Sequence, residues 1–161
     1  MKILFTKSTL PLSVAIRSVS GEPVSHVALE FPELGIVVQS NLLGIGLEWS
    51  SYFREKCTVV YELDDGKSDL ATDKAKLTAT LDAHENDFYD FTGLIYLGMR
   101  TVLNKYLKIP MPKTDVLRIS NTYLCTEWVT EYIDGTPETT ITPYGLYEQL
   151  KATGKWTEID N

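Results

Sequence analysis

The chain has 161 residues, 43% of them hydrophobic and 23% charged, which suits one domain (1–161) with an ordinary core and excludes disorder and fibrous repeats. Fifteen Lys and Arg against 22 Asp and Glu leave a formal charge of −7, which excludes broad phosphate-backbone binding, so no nucleic-acid partner is expected. No apolar run reaches the roughly 20 residues of a membrane span, so no stable membrane insertion is expected. The opening Met1–Phe5 run is interrupted by Thr6–Lys7–Ser8 too early for a signal peptide, and a cytoplasmic location is the expectation.

Taken in chain order, Lys2 to Thr6 predicts a short strand. Pro11 suits the first turn of a helix whose Leu12, Ile16 and Val19 recur at three- and four-residue steps, ended by Gly21 and Pro23. Val24 to Phe31 predicts a strand, Pro32–Gly35 a turn, and Ile36 to Ser40 the second strand of a hairpin. Ile45 to Trp49 predicts a third short strand. Cys57 to Leu63 is β-branched and predicts a strand, with Cys57 buried in it as a small hydrophobe.

Asp64–Ser68 is a polar turn; its paired acids lack a third carboxylate at calcium-loop spacing, so no metal is expected. Ser68 or Asp69 caps a predicted helix running to about His84, with Leu70, Leu77 and Leu81 on one face. A second helix, from about Tyr89 to Leu107, is richer in apolar residues and is expected to be buried, with Asp90 as a cap or turn acid. Ile109–Lys113 is a proline-containing loop. A helix starting near Cys125 runs to about Ile133 and ends at Asp134–Pro137. Thr142–Pro143 opens a last helix to Leu150, and Lys155–Ile159 predicts an edge strand. Strands early and helices late give an α+β class.

Two cysteines supply no disulfide framework, no zinc spacing and no Cys–x–x–Cys redox pair, and no cofactor is expected. Cys125, at a helix start, lies where unpaired amides and the helix dipole favour a thiolate and where amides can hold an oxyanion; Asn121 or Thr122 is the expected cap. Of the two histidines, His84 sits in a polar stretch and is expected on the solvated surface. His26 lies in the predicted Val24–Phe31 strand, as a structural residue or as a base for Cys125. Glu127 stands about 200° round the helix from Cys125 and is expected to face away from the thiol and favour the helix dipole. Tyr123 either lines a pocket or packs.

Several segments, in order, resemble the circularly permuted NlpC/P60 proteins, the YiiX-like branch of the papain-like hydrolases: Lys2–Lys7, Ile16–Arg17, Ser25–His26–Val27–Ala28–Leu29, Tyr89–Asp90–Phe91, Tyr123–Leu124–Cys125–Thr126–Glu127–Trp128–Val129 and Thr142–Pro143–Tyr144–Gly145–Leu146. The resemblance implies a permuted papain-like fold in which the cysteine helix packs on an antiparallel sheet, Cys125 and His26 form a catalytic dyad, and Gln39 orients the imidazole. Many relatives carry Glu or His where this chain has Gln39, and the Gly–Asp that often opens the family is Met1–Lys2 here. It further implies a cysteine hydrolase of bacterial or phage type, cleaving an amide of a cell-wall peptide or an ester of an acyl-lipid substrate. A neutral Gln39 cannot stabilise an imidazolium as a carboxylate would, so the alternative is a non-catalytic binding or structural module that keeps the fold.

Overall fold

A computed structural model of the chain describes residues 1–67, 69–112, 121–138 and 140–159. Ser68 and Lys113, named above as cap and loop residues, lie outside the described residues. Six strands make one antiparallel sheet: β1 (Lys2–Lys7), β2 (His26–Phe31), β3 (Ile36–Asn41), β4 (Gly44–Trp49), β5 (Thr58–Asp64) and β8 (Thr157–Glu158), in the spatial order β4-β3-β2-β1-β5-β8. The helices are α1 (Pro11–Ser20), α2 (Ser50–Lys56), α3 (Leu70–Ala83), α4 (Phe91–Lys105), α5 (Cys125–Asp134) and α6 (Pro143–Ala152). The class is α+β, an antiparallel sheet packed against helices, as the sequence predicts. No helix among the described residues is long and apolar enough to cross a membrane.

Ile3, Leu4 and Phe5 of β1 are all fully buried, because this central strand feeds a core on each side of the sheet. Side chains alternate across a strand. Ile3 and Phe5 therefore join Val27, Leu29, Phe31 and Val38 under Trp128, Val129 and Tyr132 of α5 and Leu146, Tyr147 and Leu150 of α6. Leu4 joins Ala28 and Val37 under Phe53 of α2 on the other side. That second side is smaller and partly ionic. Glu30 and Glu62 are buried on it and take cations from its rim: Arg54 donates to Glu62 at 2.8 Å and to Glu30 through Nε at 3.0 Å, and Lys2 reaches Glu62 at 2.7 Å. Buried carboxylates without such partners would be costly.

The predicted β2–β3 hairpin forms, with Leu29 opposite Val38 and Phe31 opposite Ile36. Its connection is a 3₁₀ turn over Pro32–Leu34, closed by Gly35 at φ +66°, where a side chain would be strained. Asp69 caps α3 through a bond from the Ala71 amide, and Thr142 caps α6 through one from Gly145. The expected edge strand is β8, beside β5.

Three expectations need correction. The helix α2 has no counterpart in the sequence reading: seven residues, with only Phe53 buried, give no periodicity to detect. Cys57 is the residue that ends α2, half-buried, and the strand begins after it at Thr58. The apolar helix α4 buries only Gly93 and Tyr96, and leaves Phe91, Ile95, Met99 and Val102 exposed along one side. Apolar content alone does not distinguish a buried helix from one with an uncovered apolar stripe.

Candidate active site

The site lies at the end of the sheet where β2 begins and β3 ends. Within β2 and β3, ladder pairing covers Leu29–Phe31 against Ile36–Val38. Ahead of it, His26 and Gln39 are joined by their side chains instead: His26 Nε2 lies 2.7 Å from Gln39 Oε1. The Gln39 amide nitrogen in turn donates to Glu48 Oε1 on β4, and Lys56 at the end of α2 approaches the other Glu48 oxygen at 3.3 Å. The sheet register explains the line-up, since Gln39 faces Gly46 and Val37 faces Glu48, which puts Gln39 and Glu48 on one face as diagonal neighbours. Burial holds the His26 ring below its ordinary value, against an opposing push from the Gln39 bond.

Cys125 is the first residue of α5 and only 5% exposed. Its position is fixed by two short connections. The two-residue strand β7 (Thr122–Tyr123) pairs in parallel with β6 (Phe88–Tyr89), and the Ser40 hydroxyl of β3 donates to the Tyr123 carbonyl at 2.8 Å. Helix α5 starts with Leu124 as its cap residue, not Asn121 or Thr122. Leucine offers no acceptor, and Glu127 reaches back to accept from the Leu124 amide at 2.8 Å. Glu127 is thus fully buried and serves the helix start as a first-turn acid.

The thiol departs from expectation. Burial pushes the Cys125 thiol up to about 11, and the amides of Val27, Thr126 and Cys125 itself, which favour the thiolate, recover only part of this. Helix-end polarity alone does not make a thiolate when the sulfur is desolvated. Burial thus favours the neutral form of the thiol and of the imidazole alike.

His26 and Gln39 are therefore brought together directly, and Cys125 meets the same strand through the amide of Val27, the residue next to His26. By strand parity His26 belongs to the α2 side of the sheet and Val27 to the α5 side. The imidazole and the thiol thus belong to opposite faces of the sheet, and the side chains joined by hydrogen bonds are His26, Gln39 and Glu48.

Sequence reasoning missed three groups here. Glu48 and Lys56 extend the Gln39 bond into a charged pair; the β3–β4 hairpin register carries that signal. Thr6, opposite His26 on β1, keeps its hydroxyl buried without a partner among the described residues. His84 is not a solvated histidine: its side chain is about nine-tenths buried, its Nδ1 lies 2.5 Å from Asp87, and its ring meets those of Tyr123 and Trp128 edge-on. Asp87 and Glu131 face it from the neighbouring turn and from α5, a tertiary arrangement that local polarity does not reveal.

His26, Gln39, Thr6 and Tyr89 line an open cleft of about 1000 Å³ between the start of α1 and the β3–β4 turn. No cluster of metal-ligating side chains occurs among the described residues. Comparison of the chain with protein-family models, with curated proteins and with solved structures gave no match in any of the three.

Proposed function

We propose that the protein is a cysteine hydrolase of the permuted NlpC/P60, papain-like type, with Cys125 as nucleophile, His26 as general base and acid, and Gln39 as the residue that orients the imidazole. The observation that carries this is the hydrogen-bonded line Glu48–Gln39–His26 ending beside the strand residue whose amide touches the Cys125 sulfur. An ionised Glu48 only accepts, so the Gln39 nitrogen must face it and the Gln39 oxygen must face His26. That sequence of donors puts the proton on Nε2 and leaves the Nδ1 lone pair as the base.

In the reaction, Nδ1 takes the thiol proton as Sγ bonds to the substrate carbonyl carbon. The carbonyl electrons move to oxygen, which the amides at the start of α5 stabilise. Collapse breaks the bond to the leaving alcohol or amine, which receives the proton from His26. Water then gives a proton to Nδ1 as it attacks the thioester, and the thiol regains that proton when the acid leaves. Because burial favours the neutral thiol, the proton moves to Nδ1 as the attack proceeds.

A second reading has its own support. A buried thiol with a raised pKa is what a non-catalytic module that kept the fold would carry. The two are separated by exposing the protein to 4-nitrophenyl acetate and locating any acyl group by mass spectrometry. A burst with the acyl group on Cys125, absent in Cys125→Ala, supports the hydrolase; no acylation of Cys125 above the rate of a model thiol supports the module.

A further inference from the structure

We infer that two copies of this chain pair edge to edge through β4, antiparallel about Leu47, so that their six-stranded sheets join into one. β4 ends the sheet, and among the described strands only β3 pairs with it. In the register that sets Ile36 against Trp49, the next pair out is Gly35 and Ser50, and the Ser50 amide donates to the Gly35 carbonyl at 2.9 Å. Main-chain bonds recur at every second residue of an antiparallel strand. Gly44, Gly46 and Glu48 therefore bond towards β3, and the N–H and C=O groups of Ile45, Leu47 and Trp49 face away from it.

This edge lacks the usual protections of shortness, charge, proline or a bulge. It is six residues long and stays in register with β3 throughout. Its one charge, Glu48, is turned to the α2 side and held there by Gln39 and Lys56. The opposite edge, β8, has only two residues, and its Glu158 is bonded by Tyr147 and Lys151. On the other face α5 lies over β2 and β3, and beyond it Leu47 and Trp49 are 57% and 68% exposed. Pairing about Leu47 is self-complementary, as a two-fold contact must be. Leu47 meets the partner's Leu47, Ile45 meets the partner's Trp49, and Gly46 meets the partner's Glu48. Apolar side chains then share one face, and each carboxylate lies opposite a glycine. Pairing about Glu48 instead would oppose two carboxylates directly. The dimer is independent of the chemistry at Cys125, although it encloses Glu48, the outer end of the line to His26, within a continuous sheet.

Sedimentation velocity of the full chain over a range of concentrations should show a reversible monomer–dimer equilibrium and no larger species. Leu47→Lys sets two ammonium groups together on the two-fold axis and should raise the dissociation constant about tenfold or more, as should Leu47→Glu with two carboxylates. An equimolar mixture of the two variants should regain the dimer, because pairing about position 47 sets the opposite charges against each other. That recovery also distinguishes a lost interface from a lost fold. A wild type that stays monomeric or assembles beyond the dimer overturns the inference. So does a dimer indifferent to Leu47→Lys, or a mixture that remains monomeric. A monomeric wild type whose Leu47 amide is protected from hydrogen exchange by an alternating valine–threonine peptide assigns the edge to an extended segment of another protein, and overturns the second copy.

Discussion

Gln39 Oε1 lies 2.7 Å from His26 Nε2, while the other end of the same amide is held by Glu48. A neutral side chain thereby transmits the preference of a carboxylate, with the amide orientation fixed at one end by charge and read out at the other as a tautomer. Nitrogen NMR should find the neutral His26 ring protonated on Nε2. Gln39→Ala should lose this preference and lower kcat/KM about 10- to 100-fold. Glu48→Gln keeps the shape, but lets the Gln39 amide turn over, and should lower it by about tenfold with the tautomer mixed. A wild-type ring protonated on Nδ1 would contradict the assignment of the base.

Cys125→Ala and His26→Ala should each remove turnover, by about 1000-fold or more for the nucleophile and about 100- to 10,000-fold for the base. Both should keep the far-ultraviolet circular dichroism of the wild type. Cys57→Ala should stay within about twofold, since Cys57 ends α2 and is no part of the Cys125 helix start. Equal losses in the Cys57 and Cys125 variants would mean that the thiol chemistry is misassigned.

Alkylation against pH tests the state of the nucleophile. With Cys125 pushed up to about 11 by burial, its labelling at pH 7 should be slower than that of a free thiol of pKa about 8.5, and should still rise above pH 9. The pH profile of kcat/KM should have an acid limb below the ordinary imidazole value of about 6.5, because burial holds His26 down. A Cys125 titration below 8 would show a preformed thiolate and a different resting pair.

The same depressed His26 gives stability a pH dependence of definite sign. The unfolded ring takes up its proton near pH 6.5, whereas the folded ring resists until a lower pH. Its contribution is therefore complete above pH 6.5 and declines as pH falls through the window down to the folded value. Thermal unfolding should show a fall in Tm on acidification from pH 7 to pH 5 that is smaller in His26→Gln. An identical slope in the two proteins would remove His26 from the linkage.

Gly44 begins β4 at φ +105°, and a Cβ there would meet the Asp87 carbonyl oxygen at 2.5 Å. Gly44→Ala should cost about 1–3 kcal/mol by chemical denaturation, from backbone strain together with the clash. The β3–β4 turn should loosen with it. Phe53→Ala, which empties the small core under α2, should cost about 3–5 kcal/mol. A loss below about 1 kcal/mol would show that α2 is not held by that ring.

The sequence by itself determined the strands Lys2–Thr6 and Ile36–Ser40, the Pro32–Gly35 turn between His26 and Gln39, and the helix that starts at Cys125. Each of these depends on neighbours within a few residues: alternation, a turn glycine, a proline at a helix start. It did not reveal α2, whose seven residues are held to the sheet by Phe53 under Leu4 and by Arg54 between Glu30 and Glu62. Nor did it reveal that His84 is enclosed, or that the stripe of α4 is uncovered, because both depend on which distant surface comes to rest against them. The site divides in the same way. Residue type and position singled out Cys125 and His26, and the family resemblance added Gln39, but the register of β4 brought Glu48 to Gln39. Burial, which is a property of the packed molecule, reversed the pKa shift that the helix end alone would give to Cys125.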